Sequence, residues 1–143
     1  MIALDTNVLV YAHRHDSPFH EAARQAVATL AEGRASWAIA WPCLHEFFSI
    51  TTHPRIYAPP STPAQAVLQI DAWLSSPSLV LLAENDEHWP QLRGLIEKSR
   101  LQGPMVHDAR IAALCLSHGV RELWSADRDF SRYAGLRTRN PLV

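Results

Sequence analysis

The chain has 143 residues and a mass of 16.0 kDa, enough for one domain (residues 1–143) to bury its own core and too little for a second. Apolar residues make up 48% and charged residues 19%, which excludes a disordered chain, and the sequence holds neither an apolar run of ~20 residues nor the basic-then-apolar start of a signal peptide. A cytoplasmic protein with no membrane partner is expected, and with a net charge of −1 any polyanion must be held by local groups.

Ile2 to Leu4 is a short apolar run that stops where Asp5 and Asn7 offer turn chemistry, which predicts a buried strand ending at Asp5. Val8 to His13 reads as a short helix. Ser17-Pro18 predicts an N-cap and first-turn proline for an amphipathic helix carrying Ala22, Ala23, Ala26, Val27 and Leu30, ended by Gly33. Trp37, Ile39 and Trp41 alternate within Ala35 to Trp41, as in a second strand closing at Pro42. A helix from Pro42 to about Thr52 follows. Prolines at 54, 59 and 60 bracket a loop, and Thr62-Pro63-Ala64-Gln65 then opens a helix with a capping box, its predicted buried stripe being Val67, Ile70, Trp73 and Leu74.

Leu79 to Leu82 has strand length, and Trp89 to Arg100 reads as a helix with Leu92, Leu95 and Ile96 inward. Gly103-Pro104 separates it from a helix over Met105 to His118, closed by Gly119. Leu123 to Ser125 is a fourth strand, and Leu136 to Thr138 a last edge strand. Strands alternating with helices imply crossovers, so the fold class is α/β, a mainly parallel sheet with helices on both faces. Cys43 and Cys115, in apolar surroundings, read as buried free thiols.

Two helical carboxylates sit on the wrong side of their helices. Glu46 shares a face with Cys43, Phe47 and Ile50; Asp108 shares one with Met105, Ala109, Ala112 and Leu116, while His107, Arg110, Ser117 and His118 take the other side. Burying an ionised carboxylate is costly unless it is paired or binds a metal. Asp5 and Asp127 both follow strands, Glu46 and Asp108 both lie early in helices, and chain ends of those kinds meet at the top of an α/β sheet. Four acids in one pocket repel each other unless a divalent cation sits among them, and oxygen donors without a His or Cys set suit Mg²⁺ or Mn²⁺. Such a centre supports phosphodiester hydrolysis by an activated water. Thr6, Ser125 and Asp129 adjoin the strand-end acids as supporting residues. Arg128 and Arg132, in an arginine-rich C-terminal segment, are the candidate phosphate contacts.

With these residues assembled, the chain resembles the PIN-domain family and, within it, the VapC-type ribonuclease toxins of toxin–antitoxin pairs. The resemblance rests on Leu4-Asp5-Thr6-Asn7-Val8-Leu9, Glu46, Asp108-Ala109, Ser125-Ala126-Asp127-Arg128-Asp129-Phe130 and Asn140-Pro141-Leu142, in that order. Ser125 stands where the family often has Thr, which keeps the hydroxyl. The resemblance implies a single PIN-like domain with a five-stranded sheet, a homodimer, a cognate VapB-like antitoxin as partner, and structured RNA, often tRNA or rRNA, as substrate. It also implies that Asp5, Glu46, Asp108 and Asp127 surround Mg²⁺ or Mn²⁺ as the catalytic set, and it turns the phosphate contacts Arg128 and Arg132 into candidate RNA contacts.

Three rivals are weighed against this. A phosphatase of the haloacid dehalogenase type needs an acid two positions after its nucleophile, where this chain has Asn7. A receiver domain needs an Asp at the end of the third strand, which Leu82-Ala83-Glu84 does not supply. A catalytically silent PIN-like module, binding RNA or a protein without cutting, would be favoured by loss of a site carboxylate; all four are present.

Overall fold

The computed structural model describes residues 1–143. In chain order its elements are β1 (Ile2–Leu4), α1 (Thr6–His13), α2 (His20–Ala31), β2 (Trp37–Ala40), α3 (Trp41–Thr51), α4 (Pro63–Leu74), β3 (Leu79–Leu82), α5 (His88–Ser99), α6 (Val106–Ser117), β4 (Glu122–Trp124) and β5 (Arg137–Arg139). Short 3-10 turns cover Gly103–Met105 and Arg128–Arg132. The strands form one five-stranded sheet in the order β3-β2-β1-β4-β5, and every pairing is parallel.

That order decides where a site can form. From β1 the chain steps outward to β2 and β3, then returns across the sheet to β4 and β5. Right-handed crossovers therefore put α1 to α4 on one face and α5 with α6 on the other. The direction reverses between β1 and β4, and a crevice opens beyond the carboxyl ends of those two strands. Leu4 is in register with Ile39 and Trp124, so Asp5, Ala40 and Ser125 emerge side by side at that edge.

The central strands of the sheet are covered on both faces. All four residues of β2 are buried, Trp37 and Ile39 completely, instead of alternating between core and solvent. Trp41 is not the last strand residue but the first of α3, 38% exposed, and Pro42 fits the first turn of that helix because its missing N–H has no partner there to lose. The core joins Leu4, Leu9, Trp37, Phe47, Ile111, Leu114, Leu123 and Phe130. Cys43 and Cys115 are buried within it as free thiols, and burial pushes both up, Cys115 to about 12, so both stay protonated.

Other expectations shift at their ends. Helix α2 starts at His20, because Ser17 and Pro18 form a separate turn in which the Ser17 hydroxyl accepts from the Phe19 amide at 3.1 Å. The last strand is Arg137–Arg139, one residue later than expected. The capping box of α4 is formed, with Thr62 Oγ1 accepting from the Gln65 amide at 3.1 Å and Gln65 Oε1 accepting from the Thr62 amide at 2.8 Å. Its apolar stripe is narrower than its spacing predicted. Ala66 and Trp73 are buried, whereas Val67 is 48% and Leu74 37% exposed, because α4 packs mainly against α3 at the edge of its layer. Thr62→Ala is expected to cost about 1 kcal/mol in urea denaturation, since the Gln65 amide loses its acceptor. No helix is long and apolar enough to cross a membrane.

Candidate metal centre

Asp5 caps α1 and leaves β1 as an almost completely enclosed carboxylate, 5% exposed. Its Oδ1 accepts the Thr6 amide at 2.8 Å and faces the Cys43 thiol at 3.9 Å; its Oδ2 accepts the Ser125 hydroxyl at 2.7 Å. No cation pairs with it. Burial lifts its pKa to about 6; the Ser125 and Thr6 hydrogen bonds oppose the rise, and the charges of Glu46 and Asp108 add to it.

Ser125 is the junction of the crevice. Its Oγ donates to Asp5 and accepts from the Asp127 amide at 2.9 Å and from Asn7 Nδ2 at 3.3 Å. Asn7 also accepts the Ala126 amide on its Oδ1 at 3.2 Å, so one side chain from α1 ties down the segment leaving β4. From the sequence alone Asn7 has no role in the site. The available signal was its place two residues beyond the strand-end acid, in the first turn of a helix. Thr6 reaches the other way, donating from Oγ1 to Glu46 Oε2 at 3.0 Å, which links β1 to α3.

Asp127 caps the 3-10 turn Arg128–Arg132, its Oδ1 accepting the Asp129 amide at 2.8 Å. This turn folds Asp129 back toward α6. Ligand atoms of Asp108, Asp127 and Asp129 lie within 4.8 Å of one another. Asp129, expected only to support the site, thus stands in the tightest acidic group, beside Asp5 and Glu46. Burial raises the pKa of Asp108, followed by the charges of Asp127, Asp129 and Glu46; Arg132 works against the rise. Arg132 is directed at Asp129, donating from Nε to its backbone oxygen at 3.1 Å with a guanidinium nitrogen 3.6 Å from its carboxylate, while Arg128 is exposed.

The chemistry of this donor set fits a hard divalent cation. The three converging groups are all carboxylates, and their mutual repulsion is the energy that a cation placed among them would relieve. Glu46 and Asp108 also line a cleft of about 460 Å³ between the starts of α3 and α6, with Pro42, His45, His107 and Arg110 completing its wall. Arg110 therefore shares the cleft with Asp108 instead of facing away from it. Helix α6 is buried at every position from Ile111 to Cys115, so it has no broad solvent side for a long side chain to occupy.

Comparison with known proteins agrees with this architecture. The PIN domain model of that family matches residues 2–136. Ribonuclease VapC48 of Mycobacterium tuberculosis is 34% identical over 137 residues, covering 96% of this chain and 94% of that one. Among solved structures, VapBC2 from Rickettsia felis, bound to a DNA fragment from its promoter, superposes with a TM-score of 0.66 at 21% identity, covering 98% of each chain. VapC20 of Mycobacterium tuberculosis, described as a sarcin-ricin loop cleaving toxin, gives 0.66 at 16% identity over 92% of this chain and 94% of that one. By the family-model match over residues 2–136 and its 34% identity to a relative across 96% of its length, this chain belongs to the PIN domain family, alongside relatives named VapC ribonucleases.

Proposed function

We propose that this protein is a Mg²⁺- or Mn²⁺-dependent endoribonuclease, the toxin of a toxin–antitoxin pair. The observation that carries this reading is the convergence of Asp108, Asp127 and Asp129 beside the buried Asp5 and half-buried Glu46, in a chain 34% identical to a protein named as a ribonuclease. In this reading Asp5, Glu46, Asp108 and Asp127 hold the cation, with Asp129 as a further donor. When bound there, the cation lowers the pKa of a coordinated water and offsets charge on the reacting phosphate.

The chain's own groups arrange that centre. Ser125 and Asn7 hold Asp5 and the segment entering Asp127 in one geometry, and Thr6 fixes the rotamer of Glu46. Hydrolysis adds the oxygen of a water to phosphorus, breaks the bond to the 3′-oxygen, and leaves a 5′-phosphate and a 3′-hydroxyl. Arg128 is the exposed candidate for a flanking RNA phosphate. Arg132 shares its guanidinium between such a phosphate and Asp129. The substrate class is structured RNA, tRNA or rRNA, acted on in the cytoplasm. The partners are a VapB-like antitoxin and a second copy of this chain, the association that the VapBC2 complex is named for supporting the first of these.

Sequencing of new RNA 5′ ends in cells expressing the wild-type protein, against an Asp108→Asn control, tests the activity. New 5′-phosphate ends at a few sites, absent from the control, are expected. New 5′-hydroxyl ends would replace hydrolysis by attack of the ribose 2′-hydroxyl, and identical ends with both proteins would remove the carboxylate centre from the reaction.

A further inference from the structure

The cleft between the starts of α3 and α6 holds a cationic group that the carboxylate centre does not use. Arg110 projects into its wall, and its Nε is buried without a hydrogen-bond partner. None of the ion pairs of the molecule includes it; Glu46 and Asp108 share the cleft without pairing with it. A buried guanidinium N–H with no acceptor is costly, and a planar donor fork beside a cleft is matched by phosphate oxygens.

A second observation lies on the rim. Trp41 and His45 are one turn apart at the start of α3, and their rings face each other at 6.3 Å between centroids, tilted by 34°. Both side chains are exposed, Trp41 by virtue of starting a helix instead of ending a strand. His45 lines the cleft with Arg110, so an aromatic face and an unpaired guanidinium border one space with room for a single nucleotide. Unpaired bases bind proteins by stacking on such rings, whereas bases held in a duplex present no free face.

We propose that this cleft is a nucleotide subsite for unpaired RNA, with Arg110 holding the phosphate next to the scissile one and the Trp41–His45 pair stacking on the attached base. The proposal rests on the ribonuclease reading above and narrows its substrate to RNA that offers a single-stranded nucleotide beside the cut. It also accounts for RNA binding by a chain with a net charge of −1, in which Arg132 is already engaged with Asp129.

The test is fluorescence anisotropy with a labelled, mixed-sequence oligoribonucleotide, as a single strand and as a duplex, with Ca²⁺ replacing Mg²⁺ and strand integrity checked on a gel. Arg110→Gln and Trp41→Ala are each expected to weaken single-strand binding about tenfold. Arg110→Lys, which keeps the charge and loses the fork, should fall between wild type and Arg110→Gln. Duplex binding, weak throughout, should not respond to Trp41→Ala. Mn²⁺ affinity by calorimetry should match wild type in Trp41→Ala and Arg110→Lys and not fall in Arg110→Gln, which only removes a positive charge from the cleft. If Arg110→Gln fails to fold, Arg110→Lys and the exposed Trp41→Ala decide the matter.

Single-strand affinity unchanged in both the Arg110 and Trp41 variants overturns the subsite, as does a wild-type protein that binds no single strand. Unchanged affinity with a shift from dimer to monomer on size exclusion overturns it in favour of a subunit interface. Absence of Mn²⁺ binding to wild type counts against the metal centre alone; loss of RNA binding in the variants would still support the subsite.

Discussion

Asp108→Asn is expected to lower RNA cleavage by about a thousandfold or more while the protein stays folded. The two halves of this result have one cause. Burial and the charges of Asp127 and Asp129 already disfavour an ionised Asp108, so a neutral isostere removes repulsion from the cation-free protein. The same change takes one donor from the closest carboxylate group and with it the charge that would hold a divalent cation. Cleavage assays on the mapped RNA site, paired with urea denaturation, check both halves. Retained cleavage would sink the assignment; lost cleavage with an unfolded variant would shift the test to Asp127→Asn at the edge of the group.

The second large effect is a dependence of stability on pH and metal that centres on Asp5. Its carboxyl is pushed up to about 6 in the folded protein from an ordinary aspartate value of 3.8, so the folded state binds this proton more tightly than the unfolded state. Stability therefore falls as pH rises from about 4 to 6, and above that range the ionised, buried carboxylate costs about 3 kcal/mol. Asp5→Asn removes this pH dependence. The variant should gain stability over cation-free wild type between pH 4 and pH 7 by about that amount, whatever fixed penalty comes from the altered hydrogen bond to Ser125. Taking the difference between the two proteins also cancels His13, whose pKa is lowered by burial and whose contribution runs the opposite way, being lost as pH falls.

Mn²⁺ should reverse the order. At about a hundred times its dissociation constant it stabilises the wild type by about 2.7 kcal/mol at pH 7, much less at pH 5 where protons compete for Asp5, and Asp5→Asn little at either pH. Denaturation curves at pH 4, 5.5 and 7, with and without Mn²⁺, give all these comparisons. A wild type that is indifferent to Mn²⁺ at pH 7 would remove the metal centre.

Much of the architecture was legible in local sequence because the relevant signals are local. The capping box at Thr62 and Gln65, the glycine at position 119 with φ of +74°, and the inward Leu92 and Leu95 depend on a few neighbouring residues and the helical repeat. The placing of Asp5 at a strand end and of Asp108 toward a cleft followed from the same kind of pattern. What failed locally failed where packing on another element decides. Trp37, Ile39 and Trp41 alternate as a half-exposed strand would, but β2 is covered on both faces and Trp41 already belongs to α3. Val67 and Leu74 keep helical spacing on α4 and remain exposed, because no further layer covers them.

The site divides along the same line. The acidic side chains, the hydroxyls of Thr6 and Ser125 and the βαβ alternation are properties of the chain, and they limit the possible chemistry to oxygen ligands at the carboxyl edge of a parallel sheet. Which residues meet there is a property of the fold. Strand order puts β4 beside β1, so Ser125 and Asn7 can tie residues more than a hundred positions apart. The turn capped by Asp127 brings Asp129 to Asp108, and the crowded surroundings of α6 leave Arg110 in the cleft with Asp108 and Glu46. Helical and strand periods describe directions about one axis only; the distance between side chains on different elements follows from register and crossover handedness, which no local stretch of sequence encodes.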